Sequence, residues 1–76
     1  MTAHAVEEMA EDDLDFDDVE HAVMSGRVVH SDFEDPRGPK HVIHGLAADG
    51  QVPVGVVGRF AKADRFLIIT VFEITD

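Results

Sequence analysis

The stretch DFDDVEHAVMSGRVVHSDF, residues 15–33, decides the fold, because its periodicity changes at Gly26. Before the change, Phe16, Val19, Ala22 and Val23 recur at the spacing of one helical face. After it, from Arg27, side chains alternate with the period of two that belongs to a strand. Asp15 is placed to cap the helix, and Asp17 and Asp18 fall in its first turn, where the helix dipole favours acids. Leu14 and Val19 occupy the positions of a hydrophobic staple across that cap. Gly26 follows as a left-handed C′ residue. The spacing predicts a helix over 16–25 and a strand over 28–33.

Upstream, Thr2 is a candidate N-cap for a first helix over 3–12, with Ala5, Val6, Met9 and Ala10 at the helical period. Between the helices, residues 11–15 leave room for a tight turn only. Downstream, Asp35-Pro36-Arg37-Gly38-Pro39 breaks any ladder and reads as a loop. Residues 41–47 read as a second strand and Asp49-Gly50 as a hairpin turn. Residues 52–60 form a third strand, whose Gly55 and Gly58 point to bulges or a close approach by another backbone. Ala63-Asp64 turns the chain again, into a fourth strand, FLIITVFEI, over 66–74. The expected architecture is α+β: two N-terminal helices packed on one face of a four-stranded antiparallel meander, in the order ααββββ. It is one domain over 1–76, with an acidic helical part over 1–26 and the sheet over 27–76.

Length and composition agree with a small folded domain. The chain has 76 residues and 45% hydrophobic content, too much for a disordered segment. A domain this short buries roughly 60% of the surface its unfolded chain exposes, so its stability is marginal. There are no cysteines, which removes disulfides, Cys-based zinc sites and a thiol nucleophile together. Apolar runs such as Val54–Val57 and Phe66–Ile69 are too short to span a bilayer, and no signal peptide pattern opens the chain. A soluble, cytoplasmic protein without membrane contact is expected.

The net charge of −10 is unevenly divided. Residues 1–35 hold twelve acids and one base, Arg27, whereas residues 36–76 hold four acids and five bases. So acidic a domain repels nucleic acid in bulk, because such binding gains most of its energy by neutralising phosphates. The acids serve either as a solubilising surface or as a docking surface for a basic partner. The mildly basic C-terminal half keeps the option of a local anion site.

The turns suggest a register. Pairing Ala48 with Gln51 sets His44 opposite Gly55 and Val42 opposite Val57. Pairing Lys62 with Arg65 sets Val57 opposite Thr70, Gly55 opposite Phe72 and Arg59 opposite Ile68. Across the first loop, His30 is expected opposite His44. One face then carries Val29, Phe33, Ile43, Val54, Val56, Phe60, Leu67, Ile69 and Val71, and takes the helices. The other carries Val28, His30, Asp32, Val42, His44, Val57, Arg59, Ile68, Thr70 and Phe72. This second face is too apolar for a free sheet face, so a ligand, a partner or a second copy is expected on it.

Two imidazoles near an arginine suit metal-free phosphodiester cleavage. One His takes a proton from a ribose 2′-OH, the other protonates the leaving oxygen, and Arg59 stabilises the phosphorane charge. His30 and His44 are the candidates, and half-exposed strand residues are the plain alternative for both. His30, His44 and Asp32 also have the ligand types of a metal site, conditional on that register. Arg59 reads equally as a salt-bridge partner. His4 and Glu8, four apart, share a face of the first helix. In the loop, Arg37 and Lys40 can reach a phosphate or merely form a turn. No P-loop, G-x-G-x-x-G or H-E-x-x-H is present, so neither a cofactor nor a metal is expected.

His4-Ala5, Met9, Asp18-Val19-Glu20, Val23, Ser25-Gly26, Val42 to Gly45, Asp49-Gly50 and Ile68 to Glu73 together resemble a small uncharacterised bacterial domain family. That family looks like an outlying branch of the RelE/ParE/MqsR-like toxins, often encoded beside YgiT-type zinc-finger antitoxins. The resemblance covers nearly the whole chain. It implies the toxin half of a toxin–antitoxin pair, helices followed by an antiparallel sheet, and metal-independent RNA cleavage. His4 and Thr70 are among the positions it carries over. Where that family sets arginines around the helical Met, this chain has Glu8 and the acids of residues 11–13. Two functions of different class follow. One is a ribonuclease-type toxin using His44, His30, Arg59, His4 and Thr70. The other is a catalytically silent acidic module that docks on a basic protein as inhibitor, nucleic-acid mimic or dimerisation domain, with a homodimer through the mixed sheet face as one form.

Overall fold

The computed structural model describes residues 1–61 and 65–75. Helices α1 (Ala3–Glu11) and α2 (Phe16–Ser25) precede strands β1 (Arg27–Asp32), β2 (Lys40–Leu46), β3 (Pro53–Phe60) and β4 (Phe66–Glu73). The strands lie in chain order with every neighbour antiparallel. The order ααββββ and the α+β class are as the sequence predicts. Among the described residues no helix is long and apolar enough to cross a membrane.

The core lies between the helices and one side of the sheet. Ala5 and Met9 of α1 and Val19 and Ala22 of α2 are buried against Ile43, Val54, Val56 and Val71, with Ala47 closing one end. Each buried Val stabilises the fold by about 1.5–3 kcal/mol. Val6 and Phe16, expected in the apolar stripes, are exposed instead.

Each helix is fixed to the sheet at its ends. Thr2 Oγ1 accepts a hydrogen bond from Ala5 N (3.2 Å) and donates to Ile69 O (3.1 Å), while Thr2 N donates to Ile68 O (3.0 Å). Further along α1, Glu8 Oε1 accepts from Val71 N (3.1 Å) and Asp12 Oδ2 from Glu73 N (3.0 Å). The outer edge of β4 is thereby paired with α1 instead of left open. Asp15 and Asp18 form a reciprocal capping box on α2, and Asp18 Oδ1 also accepts from Ala48 N (3.0 Å) in the β2–β3 hairpin. These amides hold the Asp18 carboxyl below its ordinary range, chiefly through the Asp15 N–H and then that of Ala48.

Gly26 departs from expectation. Its backbone is extended (φ −89°), so it is no left-handed cap. Ser25 Oγ instead donates to His21 O (2.7 Å) and accepts from Leu46 N (3.3 Å). Gly26 is required by close packing, since a Cβ there would stand 2.5 Å from Ala22 O. At Gly45 a Cβ would run into that same carbonyl, so the two glycines let the α2 backbone rest directly on β2.

The β2–β3 register is the expected one, with Val42 opposite Val57 and His44 opposite Gly55. Gly50 turns the hairpin at φ 73°. Val57 faces Thr70 and Gly55 faces Phe72, also as expected. Two bulges alter the rest. Between Val57 and Gly58 the register shifts, so Gly58 pairs with Ile68 and Arg59 with Leu67, not Ile68. Ile68 therefore turns to the helices, beside Val19 and Val23, and Leu67 and Ile69 turn away to line a cavity with Arg59. The second bulge, between Val28 and His30, sets Val28 opposite Ile43 on the helix side and His30 opposite Val42. The sequence-based faces for Val28, Leu67, Ile68 and Ile69 are thus inverted, as a one-residue slip must do. The expected turn at Ala63-Asp64 and the pairing of Lys62 lie outside the described residues.

Candidate functional site

On the side of the sheet away from the helices, the register sets three rows across the strands. His30, Val42, Val57 and Thr70 form one, and Arg27, His44, Gly55 and Phe72 the next. Asp32 opposite Lys40, and Arg59 opposite Leu67, define the third at the far end.

Of the candidate catalytic residues, His30, His44, Arg59 and Thr70 share this sheet face, with His44 on the diagonal from His30 across β1 and β2. His44 lies opposite Arg27, not His30, and its ring meets Phe72 edge-to-face at 6.4 Å. His30 and Thr70 occupy one row on opposite edge strands, about 14 Å apart at three strand spacings. The β1–β2 register is the cause, since it sets His30 opposite Val42, two residues short of His44. His4 is on the other layer, where its Nε2 lies 3.3 Å from Glu8 Oε1, the carboxylate that accepts from Val71 N. Among the described residues no three His, Cys, Asp or Glu side chains stand together as metal ligands.

Arg59 has a different setting. It is only 9% exposed, and the loop between β1 and β2 brings an acid to it. That loop closes as a β-turn, with Pro36 second, Gly38 fourth at φ 112°, and Gly38 N donating to Asp35 O (3.0 Å). Asp35 Oδ1 accepts from Arg37 N (2.8 Å) and lies 3.4 Å from Arg37 Nε and 3.6 Å from Arg59 Nη1. Lys40 Nζ lies 3.3 Å from Asp35 Oδ2. One carboxylate thus gathers three of the chain's six Lys and Arg side chains. The Arg37 backbone N–H is the main reason its pKa falls from 3.8 to about 2, with the Arg37 and Lys40 side chains adding to it. Arg59 Nη1 is buried without a hydrogen-bond acceptor. Such a donor costs on the order of 1–3 kcal/mol.

On their other side these cations line a cavity of about 360 Å³, together with Thr2, Leu67 and Ile69. The sequence singled out Arg59, Arg37 and Lys40 but did not join them. Asp35 directly before Pro36 signals the turn, because Asp before Pro commonly starts one, but it does not signal the contact with Arg59.

A second feature lies on the helical layer. Phe16 and Met24 of α2 are 60% and 82% exposed. With Val19, Val23, Phe66 and Ile68 they line an apolar groove of about 200 Å³, with Glu20 in its wall. Asp17 and Glu20 are exposed along the same helix.

The chain belongs to a family described as a domain of unknown function (DUF4258), whose model matches residues 1–73. No curated protein and no solved structure matches it.

Proposed function

We propose that this chain is a catalytically silent binding module of the cytoplasm, whose acidic helical half docks on a basic protein. The observation that carries the reading is the α2 groove, where Phe16 and Met24 stand exposed beside Glu20 and Asp17. An apolar groove flanked by acids suits an amphipathic helix with a leucine-rich face bordered by lysine or arginine. In the toxin–antitoxin setting implied by the resemblance, that partner would be an antitoxin. The placement of His4 on the helical layer, and of Thr70 on the edge strand opposite that of His30, supports a silent module over a nuclease, because proton transfer needs its groups within hydrogen-bond reach of one reacting centre.

The test titrates the whole protein with a synthetic leucine–lysine amphipathic helix. Binding that weakens with salt and is lost in Phe16→Asp and Met24→Asp is the expected result. Equal binding by wild type and both variants would remove the groove from the reading. Light scattering reads the competing occupant, a second copy on the mixed sheet face.

The ribonuclease reading stays second, supported by the cations around Arg59, which attract an RNA phosphate. Incubation with total cellular RNA in excess chelator, beside His44→Ala, tests it. Intact RNA with both proteins is expected. Discrete cleavage lost in His44→Ala would overturn the silent module.

A further inference from the structure

We infer that the cavity beside Arg59 binds a phosphomonoester, with the phosphate on Arg59, Lys40 and Arg37 and an apolar body on Leu67 and Ile69. The site lies on the sheet, apart from the α2 groove, and does not depend on the docking role.

Its charge is built for an anion. In a chain of net charge −10, three cations line one cavity. Asp35 offsets one of them and is not among the lining residues, so it holds the cations from behind. Asp32, opposite Lys40, directs Oδ1 to the Glu34 amide (3.0 Å). A surplus of positive charge therefore faces the cavity, and a phosphomonoester, close to a dianion at neutral pH, matches it better than a monoanionic diester or carboxylate. The remote acids of the helices oppose binding weakly, because exposed charges beyond about 8 Å are screened at physiological salt.

Two further observations point to an occupant. Arg59 lines the cavity, and its buried Nη1 meets Asp35 only at 3.6 Å without a hydrogen bond, so the guanidinium charge is incompletely matched from behind. Thr2, the N-cap of α1, stands in the same wall, and the first turn of that helix carries no acid, so the positive end of its dipole is unopposed there. The cavity is also larger than a phosphate needs. At about 360 Å³ with Leu67 and Ile69 in its lining, it accommodates an attached apolar or aromatic group.

The test is calorimetric titration of the whole protein at fixed ionic strength with phenyl phosphate, inorganic phosphate, methyl phenyl phosphate and phenol. Phenyl phosphate is expected to bind at least about tenfold more tightly than each of the others, since each lacks the apolar body, a charge or the phosphate. Arg37→Gln and Lys40→Gln are each expected to weaken it about five- to tenfold. Arg37 is 75% exposed on its side chain, so its variant keeps the fold even if Arg59→Gln does not. Phe16→Asp, in the other groove, should leave binding unchanged. Wild-type affinity in both Arg37→Gln and Lys40→Gln would overturn the site. Equal binding of inorganic phosphate and phenyl phosphate would overturn the apolar subsite, and equal binding of the methyl ester the preference for a dianion.

Discussion

Asp35 Oδ1 lies 3.6 Å from Arg59 Nη1, across the sheet face that the helices leave uncovered. The contact joins a loop residue to a strand residue 24 positions later, and it is made at a side chain only 6% exposed on the acid. Through it, a loop that composition marks as a simple turn becomes the frame of a basic cavity.

The contact carries a pH dependence of defined sign. The carboxyl titrates lower in the folded chain, at about 2 against 3.8. Its contribution to stability is therefore complete above pH 3.8 and disappears as the pH falls through about 2. Urea midpoints measured from about pH 5 to about pH 2 should decline in the wild type, and Asp35→Asn should be less stable at pH 5 with a shallower decline. Parallel profiles for the two proteins would show that other carboxylates carry the effect.

The cap of α2 gives a second prediction. Asp15 and Asp18 are matched within the capping box, yet only Asp18 also holds the Ala48 amide. Asp15→Ala should cost about 1 kcal/mol, the usual loss for an N-cap. Asp18→Ala should cost more, because it also frees the hairpin from the helix. Thermal melts of the two variants decide the order, and a smaller loss in Asp18→Ala would contradict this role for the Ala48 bond.

Close packing at Gly45 leads to a third. Adding a methyl group there forces it into the Ala22 carbonyl, which belongs to the helical backbone and cannot rotate aside. Gly45→Ala should therefore destabilise by about 2 kcal/mol or more. Gly50→Ala meets no atoms but forces alanine into positive φ, at about 1 kcal/mol. Urea denaturation of both variants should place Gly45→Ala clearly lower.

These residues also show what the sequence displays and what it conceals. The change of period at Gly26 and the Asp49-Gly50 turn were sufficient for the elements and for the β2–β3 register, because both are set by local chemistry. The candidate site depended on the two bulges, at Val28/His30 and Val57/Gly58. A bulge adds one residue to one strand and leaves the composition unchanged, so it turns Val28 to the helices and Leu67 toward Arg59 without altering the pattern. The glycines of β3 flagged irregularity there, though not its direction. The contact of Asp35 with Arg59 had no local signal, since it depends on where the loop folds over the sheet.

The last prediction concerns the edge of β4. Glu8 and Asp12 accept hydrogen bonds from Val71 N and Glu73 N, which point away from β3. Removing the acceptor at Glu8 leaves a part-buried amide unpaired, at a cost of about 1–3 kcal/mol. Glu8→Ala should lower the melting temperature, while Glu8→Gln, which retains a side-chain carbonyl, should restore most of the loss. Combining Glu8→Ala with Asp12→Ala would expose both amides on a strand rich in β-branched and aromatic residues, which favours pairing with another chain. Light scattering should then show association that grows with protein concentration and is absent in the wild type. A double variant that is less stable but strictly monomeric would mean that α1 holds β4 by its apolar contacts, Ala5 and Met9 against Val71, and not by covering its edge.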